Sequence, residues 1–383
     1  MAIHILHIMG GLSAVGGTPR KLLYLLKHSD PSRIRHSFIC MEGGGMQREY
    51  ERAGAIVHIV DSAAPIAIVV AALKCARRLR PRVIATHFTR SFVCGSLAAR
   101  MLGLPVVHHE HGPALEEGPS YSPIALLGKT LRAAWLPAAS LIVCNSRYTA
   151  QTVRQTYRVD ETRLKVIHNP VEGRLTDGDC RRPPQDHAAK DALWIGHIGG
   201  MIPSRDQATL IRAIQLLRDR GVDARLILIG DGPQRASLER LSARLRLQPW
   251  VDFRGYQSDL SEFFRRVSIY VNPAIAEGFG IAVVEAMLES IAVVLANAGA
   301  HPELIEDNRT GLLYRAQDPH SLAARIAELA GDSQKRKALS AAGREHARCS
   351  FAPQRYARAY QVAIEAVLGG VSNNEAFAVT GAD

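Results

Sequence analysis

Short apolar runs alternate with longer amphipathic segments along the whole chain, and the alternation starts again near residue 194. Strands that alternate with helices are typical of a parallel, helix-covered sheet, so the pattern predicts an α/β fold built from two such sheets. The predicted strands cover residues 3–9, 37–41, 56–60, 83–87, 106–110, 141–145 and 166–168 in the first half, and 194–198, 226–229, 251–254, 269–272 and 293–296 in the second.

The segment between the two halves is polar, contains two prolines and has no periodicity, which indicates a linker. We therefore predict a first domain over residues 1–173, a linker over 174–190 and a second domain over 191–352. Helical spacing of apolar residues predicts a last helix over 353–368, and the small and polar residues 369–383 form a tail.

Glycines follow several of the predicted strands. Gly16 and Gly17 come after the first strand, and Gly199 and Gly200 come after the first strand of the second half. Loops at these positions are where doubly wound sheets bind ligands, although turns are the commoner use of paired glycines. Ser204 and Gln207 then match a capping box, which predicts a helix over 206–220.

The most informative stretch is the sequence EGFGIAVVE at residues 277–285, which follows the strand 269–272 and opens a helix running to about residue 290. Its glycines permit close approach of the backbone to a ligand, and free N–H groups at a helix N-terminus favour a phosphate. Glu277 and Glu285 are separated by roughly 8 Å along the axis. Glu285 shares a helix face with apolar residues and needs a partner there, for which ligand hydroxyls are suitable. The alternative is a Glu277 that stabilises the helix dipole and a Glu285 that reaches solvent.

With the residues that follow it, this stretch resembles the two-glutamate signature of retaining glycosyltransferases of family four, which use nucleotide sugars and have the GT-B fold. The resemblance implies two Rossmann-like domains facing each other across a cleft, with the donor held by the second and the acceptor by the first. It also implies transfer of a sugar from a UDP- or GDP-sugar to a saccharide or lipid-linked acceptor, as in polysaccharide or glycolipid synthesis. The nucleotide sugar is then a substrate, and we expect neither a cofactor nor a metal.

The resemblance assigns roles to particular residues. Glu277 and His111 are expected on the sugar hydroxyls, Glu285 on the ribose, and Arg205 with the backbone at Gly280 on the diphosphate. The expected catalytic residues are thus Glu277, His111 and Arg205, and the expected donor-binding residues are Gly16, Gly17, Gly199, Gly200, Arg205, Gly255, Phe279, Gly280, Ile281 and Glu285.

Two positions depart from the family pattern. Family members usually place an Arg and a Lys on the diphosphate; Arg205 stands at the Lys position, and Gly200 stands at the Arg position. Thr18-Pro19-Arg20 replaces the acidic residue that often follows the first glycine loop. Because Gly200 replaces one of the two phosphate-binding cations, a non-catalytic protein that binds nucleotide sugars stays open as an alternative function. A second alternative is a sugar-nucleotide epimerase of the same fold.

Three histidines at neighbouring strand ends offer a different chemistry. His87 ends one predicted strand, while His109 and His111 point the same way at the end of the next. Such a group can be a metal site, but ligand identity without a fixed surrounding shell is thin support. The resemblance instead places His111, with Gly112, beside the donor sugar.

Composition limits the remaining choices. The chain has 383 residues with 47% hydrophobic content, enough for two cores. Its six cysteines include no C-x-x-C pair, which fits a reducing compartment and argues against zinc or a disulfide framework. The chain start does not resemble a signal peptide, and no uncharged apolar run approaches the ~18 residues of a spanning helix. We therefore expect a cytoplasmic protein.

Charge is unevenly distributed. Residues 1–173 contain 21 Lys and Arg against 11 Asp and Glu, whereas the rest of the chain contains 26 against 25. Much of the excess lies at Lys74, Arg77, Arg78, Arg80 and Arg82, and residues 126–136 add Lys129 and Arg132. A solvated basic face is the ordinary explanation. The asymmetry favours docking of the first domain on an anionic membrane surface. The sequence contains no motif of aromatic and basic residues of the kind that recognises nucleic acid.

Overall fold

The computed structural model describes residues 2–13, 17–114, 123–173 and 192–369, with the side chains of 123–125 excepted. The chain divides into two compact units, Met1–Pro170 with Pro353–Asp383, and Val171–Ala352. The predicted boundary lay at residue 173. The chain enters the second unit at Val171 and leaves it after Ala352, where the Val171 N–H donates to the Phe351 carbonyl at 3.0 Å. The predicted linker 174–190 and tail, apart from Gly369, lie outside the described residues.

The first unit contains a parallel sheet in the order β3-β2-β1-β4-β5-β6-β7. Its strands are β1 (Ile3–Gly11), β2 (Ile34–Glu42), β3 (Ile56–Ile59), β4 (Val83–His87), β5 (Val106–Glu110), β6 (Leu141–Cys144) and β7 (Leu164–Val166). Its helices are α1 (Gly17–His28), α2 (Gln47–Arg52), α3 (Pro65–Leu79), α4 (Thr89–Leu102), α5 (Pro123–Trp135), α6 (Arg147–Tyr157) and, much later in the chain, α14 (Pro353–Gly369).

The second unit contains a parallel sheet in the order β10-β9-β8-β11-β12-β13. Its strands are β8 (Leu193–Ile198), β9 (Ala224–Ile229), β10 (Val251–Gly255), β11 (Ile269–Asn272), β12 (Ala292–Ala296) and β13 (Leu312–Tyr314). Its helices are α7 (Gln207–Asp219), α8 (Arg235–Arg244), α9 (Ser261–Arg266), α10 (Ile281–Leu288), α11 (His301–Leu304), α12 (Pro319–Gly331) and α13 (Ser333–Ser350).

The central strands of both sheets are buried on both faces, as expected of parallel strands covered by helices, although β1, β4 and β5 also contain buried histidines. Every residue of β4 and of β12 is buried. The helices cover the sheets with one apolar face each; in α7 this face contains Leu210, Ile214 and Leu217. The α/β class predicted from periodicity is thus confirmed.

The last helix belongs to the first unit although it is last in sequence. Helix α14 packs against α1, and it buries Tyr356, Tyr360 and Ile364 in the core of that unit. Arg33 and Glu365 form an ion pair at 2.8 Å on the rim of this contact. Residues that are about 330 positions apart in sequence therefore share one core.

Two details of the second unit differ from the sequence-based prediction. The capping box at Ser204 is wrong: residues Pro203–Arg205 form a 3₁₀ turn, and α7 begins at Gln207 after a left-handed Asp206 (φ 45°) without a side-chain cap. The Gln207 side chain instead donates to the Gly200 carbonyl at 3.0 Å. The strand β13 was not predicted, because its three residues are too few for a periodic signal.

Both sheets have a topological switch point, where the order of strands reverses. It lies between β1 and β4 in the first unit and between β8 and β11 in the second. Ligands of doubly wound sheets bind beyond the carboxyl ends of the strands at such points. The loops after these four strands contain most of the residues singled out from the sequence.

Candidate functional site

The loop that connects β11 to α10 contains Glu277 and is held tightly by its neighbours. Gly280, the residue before the helix, has φ 94° and ψ 59°, a left-handed conformation that favours glycine. Gly299, which follows β12, has φ 59°, and a Cβ atom there would lie 2.7 Å from the Glu277 nitrogen. The Ala300 N–H donates to the Glu277 carbonyl at 2.9 Å. The backbone of Glu277 is therefore fixed by the loop after the next strand.

Glu277 forms an ion pair with Arg205, whose Nη1 lies 2.8 Å from Oε2 of the glutamate. Arg205 ends the 3₁₀ turn after β8, and the Ile275 N–H donates to the Ser204 carbonyl at 2.9 Å, which joins the two loops. The Asn272 amide lies 3.4 Å from the same Glu277 oxygen. The side chains of Arg205 and Glu277 are 19% and 16% exposed, so both charges remain accessible to a ligand.

Two buried histidines lie near this ion pair. His197, in β8, places Nδ1 2.9 Å from the Val271 carbonyl, and His301, in α11, places Nδ1 2.9 Å from the Ala296 carbonyl. The pKa of His197 is lowered to about 4, mainly by burial and also by the nearby Arg205, while Glu277 acts in the opposite direction. Burial also lowers the pKa of His301. Both imidazoles are therefore neutral at physiological pH and add no charge beside Arg205 and Glu277.

The glycine turns after β8, β9 and β10 interlock through the backbone. Gly230 has φ 128°, and a Cβ atom there would lie 2.1 Å from the Gly199 carbonyl oxygen. Gly255 has φ 66°, and its carbonyl accepts from the Gly230 N–H at 2.8 Å. By contrast, a Cβ atom at Gly200 would meet its nearest neighbour at 3.8 Å, which is an ordinary contact. A side chain at residue 200 is therefore sterically allowed.

The predicted donor residues in α10 and just before it differ in how deeply their side chains are buried. Glu285 is only 3% exposed in spite of its charge, so its carboxylate lies inside the protein. Ile281, in the first turn, is half-buried. Phe279 is 2% exposed and its ring lies edge-on to Phe351 at 5.5 Å. The Phe279 side chain thus belongs to the core, and only its backbone is available for a ligand.

The first unit places His111 and Gly17 near the switch point between β1 and β4. Gly17 begins α1, whereas Gly16 lies outside the described residues. His111 is half-buried, and both of its ring nitrogens have neighbours: Nε2 lies 3.2 Å from His87 Nδ1, and Nδ1 lies 3.3 Å from Lys21 Nζ. The Asn145 amide donates to the His111 carbonyl at 2.9 Å.

Sequence reasoning missed Lys21. This side chain is 4% exposed, and burial lowers its pKa to about 7. The signal was present in the helical spacing, because Lys21 lies one turn before Leu25 and so on the apolar face of α1. A lysine in that stripe is a candidate functional residue.

The three histidines considered as a metal site contact one another as stacked rings. The ring centroids of His87 and His109 are 4.5 Å apart, and those of His109 and His111 are 6.3 Å apart. Within the described ranges, no group of three or more His, Cys, Asp or Glu side chains is arranged to hold a metal ion. Two of the three rings, His87 and His111, are hydrogen-bonded to each other, whereas His109 Nε2 lies 3.3 Å from the Tyr360 hydroxyl.

One basic residue predicted for the surface is buried. Arg132 is 2% exposed; its Nη2 lies 2.6 Å from Glu110 Oε1, and its Nη1 donates to Thr89 at 3.0 Å. His108 and Arg132 hold the pKa of Glu110 at about 2, against the effect of burial. Arg132 therefore neutralises an internal carboxylate and is not available to a membrane.

Comparison with known proteins identifies the class. The model of the family described as Glycosyltransferase Family 4 matches residues 15–173, and the model described as Glycosyl transferases group 1 matches residues 183–346. The two models together match most of the chain. The chain belongs to the family-four glycosyltransferases, and its fold is GT-B.

Individual relatives share little more than a quarter of the aligned residues with this chain. The chain is 28% identical over 288 residues to a D-inositol 3-phosphate glycosyltransferase of Streptomyces avermitilis, a match that covers 70% of this chain and 61% of the relative. It is 27% identical over 301 residues to a sulfoquinovosyl transferase of Arabidopsis thaliana, covering 70% of this chain and 53% of the relative. The matched region is thus well short of the full length of either relative.

Solved structures show the same fold. HepE from Anabaena, solved in complex with UDP, superimposes with a TM-score of 0.76 at 22% identity, covering 96% of this chain and 100% of that one. Sucrose-phosphate synthase from Thermosynechococcus elongatus gives a TM-score of 0.76 at 17% identity, with coverage of 96% and 100%.

Proposed function

We propose that this protein transfers a sugar from a nucleoside-diphosphate sugar, with UDP as the first candidate nucleotide, to a hydroxyl acceptor with retention of anomeric configuration. The observation that carries the proposal is the accessible Arg205–Glu277 ion pair at the switch point of the second sheet. The pair combines a cation for a diphosphate with a carboxylate for sugar hydroxyls. Relatives named as glycosyltransferases and a UDP complex of a protein with this fold support the choice.

The proposed mechanism depends on positioning and charge. Arg205 and the N–H groups at the start of α10 bind the diphosphate and stabilise the negative charge that develops as it leaves. Glu277 orients the sugar through its hydroxyls, and the buried Glu285 accepts from the ribose. The acceptor O–H bond breaks as the new glycosidic bond forms, and the proton goes to the departing phosphate oxygen on the same face. The resemblance also places His111 at the sugar, where a hydroxyl would have to replace Lys21 or His87 as the partner of a ring nitrogen. No metal is required.

A donor panel tests the proposal. UDP-, GDP- and ADP-sugars are added singly to the protein, and the thermal unfolding midpoint is measured, because a ligand that binds the native state stabilises it by mass action. We expect stabilisation by one nucleotide family. NMR of the reaction product then reports the anomeric configuration. Inversion at the anomeric carbon, or no stabilisation by any nucleotide sugar, contradicts the proposal.

Two further outcomes separate the other candidate functions. An epimerase converts the sugar nucleotide without an acceptor, so a changed sugar in an acceptor-free reaction identifies it. A non-catalytic binding protein gives thermal stabilisation without turnover, and Gly200 in place of a second cation is the observation that favours it. Transfer to an added acceptor excludes both.

For the acceptor, we propose a lipid-linked saccharide reached from a membrane surface. Large apolar side chains are exposed on α3, α4 and α5, which pack in sequence against one another. We call these residues the apolar patch: Ile66, Val70, Leu97, Met101, Leu126 and Leu127. Large apolar side chains exposed on neighbouring helices are candidates for an interaction surface.

Basic residues lie beside the apolar patch. Lys74, Arg77 and Arg78 extend from α3 and are exposed, as is Arg100 in α4. Apolar insertion combined with basic residues is the combination that binds anionic bilayers. The described part of the chain includes no helix with the length and apolar character required to cross a bilayer. We propose a peripheral protein at the cytoplasmic face, which is consistent with Cys40, Cys75, Cys94 and Cys144 forming no disulfide bond.

A further inference from the structure

Four histidine side chains form a continuous hydrogen-bonded row across the first sheet. His7 Nε2 lies 3.0 Å from His36 Nδ1, and His7 Nδ1 lies 3.1 Å from His87 Nε2. His87 Nδ1 then lies 3.2 Å from His111 Nε2. Successive ring centroids are 5.2, 5.4 and 5.4 Å apart. We call His36, His7, His87 and His111 the histidine row.

The register of the sheet creates the row. The strands β2, β1, β4 and β5 are neighbours, and three pairs lie opposite one another: Ile5 and His36, Ala85 and His7, and His109 and His87. Each step of the row therefore crosses to the next strand and advances two residues toward the carboxyl edge. An advance of two residues keeps the side chain on the same face of the sheet.

The two ends of the row give it a direction. Lys21 Nζ lies 3.3 Å from His111 Nδ1 at one end, and Ser29 Oγ lies 3.2 Å from His36 Nε2 at the other. The Ser29 hydroxyl donates to the Leu25 carbonyl at 2.6 Å. An ammonium group only donates and a carbonyl only accepts. With Lys21 charged, His111 accepts at Nδ1, and the row ends at a carbonyl.

One arrangement of protons satisfies every member of the row. Each imidazole accepts at Nδ1 and donates from Nε2, from His111 through His87 and His7 to His36, and His36 donates to the Ser29 hydroxyl. The four rings then share the Nε2–H tautomer. The opposite arrangement turns an N–H of His111 toward the ammonium and removes the Ser29 hydroxyl from Leu25. Buried polar groups are normally hydrogen-bonded, which selects the first arrangement.

Other groups surround the row but do not interrupt it. His109 stacks on His87 and directs Nε2 to the Tyr360 hydroxyl at 3.3 Å, and the Tyr356 ring lies 5.8 Å from Lys21 Nζ. Further titratable groups that act on its members electrostatically are His4 on β1, His108 on β5 and Cys144 on β6, whose thiol pKa is raised by burial.

The row consists of neutral imidazoles. Burial lowers the pKa of His7, His87 and His111 well below the usual range and that of His36 to about 3. A neutral imidazole can accept a proton at one ring nitrogen and release one from the other, which is why histidine serves as a proton shuttle.

The far end of the row opens to a surface cavity. Its volume is 490 Å³, and its lining includes Ser29, His36, Ser37, Arg35 and Arg78. Arg35 and Arg78 are exposed, so the cavity is continuous with solvent. At the near end, Lys21 is 4% exposed beside His111 at the carboxyl edge of the sheet. The row therefore joins a buried ammonium to a solvated cavity.

We propose that the histidine row is a proton relay between the cavity and Lys21, through which the buried lysine gains and loses its charge without opening of the fold. When Lys21 loses its charge, its proton moves to His111 Nδ1, each ring passes its Nε2 proton to Nδ1 of the next ring, and His36 Nε2 releases a proton by way of the Ser29 hydroxyl to the solvent of the cavity. The four rings are then Nδ1–H tautomers, and the reverse sequence returns the charge to Lys21. The charge of Lys21 is then available to a ligand at the switch point of the first sheet and responds to the pH of the cavity. The relay goes beyond the proposed sugar transfer, because neither donor binding nor retention requires it.

The first test is the tautomer of each ring, measured by NMR on protein labelled with ¹⁵N-histidine, with signals assigned from single His→Phe variants. At a pH about one and a half units below the Lys21 pKa of about 7, where Lys21 is charged, we expect the four row histidines to be neutral and in the Nε2–H form. As the pH is raised and Lys21 loses its proton, the four rings should change together to the Nδ1–H form. The exposed His58 is the internal reference for the ¹⁵N signals. A row histidine that is charged, or in the Nδ1–H form while Lys21 is charged, overturns the relay, and so does a row in which the tautomer of one ring changes without the others.

The second test asks whether the ends communicate. Lys21→Met removes the donor at one end and should shift the ¹⁵N resonances of His36, three rings away, whereas Arg20→Met should not. His7→Phe retains the stacking on Phe38, at 4.6 Å, but removes both nitrogens from the middle of the row. Proton exchange of Lys21 with solvent should then slow by about tenfold or more, because it now requires local opening.

The matched control for the interruption is His109→Phe, a buried ring that contacts the row but is not part of it. Exchange at Lys21 should be unchanged in this variant. Equal rates in His7→Phe and His109→Phe, or an unchanged His36 signal in Lys21→Met, overturn the proposal. Neither measurement uses a donor or an acceptor, so its failure is distinguishable from failure of the proposed sugar transfer.

Discussion

Arg205 and Glu277, which the sequence assigned to two different parts of the donor, form one ion pair with 2.8 Å between Nη1 and Oε2. A diphosphate that binds Arg205 therefore interacts with a cation already oriented by a carboxylate. The Asn272 amide lies 3.4 Å from the same carboxylate oxygen, and the backbone carbonyl of Glu277 accepts from the Ala300 N–H of the next loop. The two side chains should consequently act as a coupled unit, and their mutational effects should not add.

Arg205→Ala should lower turnover on the order of 10²-fold, by analogy with the loss of one donor to a developing oxyanion. Arg212→Ala is the matched control, since this exposed arginine lies on α7 in the same unit. Steady-state kinetics with the donor identified by the panel measures the effect. Equal turnover in the two variants would show that another group binds the diphosphate.

Glu285→Ala should weaken the binding of free nucleoside diphosphate, because a hydrogen bond to a charged group contributes about 1.5–3 kcal/mol. Glu277→Gln should mainly lower turnover, since it keeps the shape but removes the partner charge of Arg205. Calorimetric titration separates the two effects. Glu345→Ala, a change at an exposed carboxylate, is the control. Unchanged nucleotide affinity in Glu285→Ala contradicts the ribose assignment.

Gly200→Arg should be tolerated and should strengthen donor binding by about tenfold, which corresponds to roughly 1.4 kcal/mol from a second cation. The space at residue 200 permits the side chain, with 3.8 Å to the nearest atom. Gly199→Ala is the contrasting variant, because its Cβ atom would lie 2.9 Å from His197 Nε2. Thermal unfolding should show a loss of stability for Gly199→Ala alone. Weaker donor binding by Gly200→Arg would indicate that residue 200 does not face the diphosphate.

Sedimentation with vesicles tests the membrane surface. Binding should require anionic lipid, weaken as salt screens the charges, and decrease when Lys74, Arg77 and Arg78 are changed to Gln. The matched control changes the exposed Arg240, Arg244 and Arg246 of the second unit to Gln, which removes the same charge.

A second pair of changes probes the apolar patch. Met101→Ser and Leu127→Ser, which alter residues 62% and 59% exposed, should reduce binding without loss of stability. Protein that stays in the supernatant with anionic vesicles even at low salt would favour a soluble acceptor.

Acid should destabilise the protein well above the pH at which carboxylates titrate. Burial lowers the pKa values of the buried histidines below 6.5 in the folded state. The pKa falls to about 4 for His197 and to about 3 for His36. Below pH 6.5 the unfolded chain binds protons that the folded chain does not. The contribution of the buried neutral histidines to the free energy of unfolding is therefore complete above pH 6.5. It decreases as the pH falls, by about 1.4 kcal/mol per pH unit for each histidine.

Urea unfolding between about pH 7 and pH 5 measures this slope. His7→Phe should make the slope shallower, because it removes one buried imidazole. His58→Gln, at an exposed position, should leave it unchanged. A free energy of unfolding that does not vary over this range would contradict the assignment of neutral buried rings.

The sequence by itself determined the class of fold and most strand positions. Periodicity located β4, β5 and β11 to the residue, since buried parallel strands are continuous apolar runs. The sequence also located the loop at Glu277, because glycines between a strand and a helix indicate a tight turn in which the backbone can approach a ligand closely. The short β13 was missed because three residues give no periodic signal, and the start of α7 was predicted to within one residue but with the wrong cap.

Only the tertiary structure decided which polar residues act together. The pairing of Arg205 with Glu277, the burial of Arg132 against Glu110 and the row of histidines all arise from strand order and register. A local pattern shows which face of an element is apolar, but it does not contain the identity of the neighbouring strand. Lys21 and His36 are joined through three strands of the sheet, so their relationship exists only after the chain has folded.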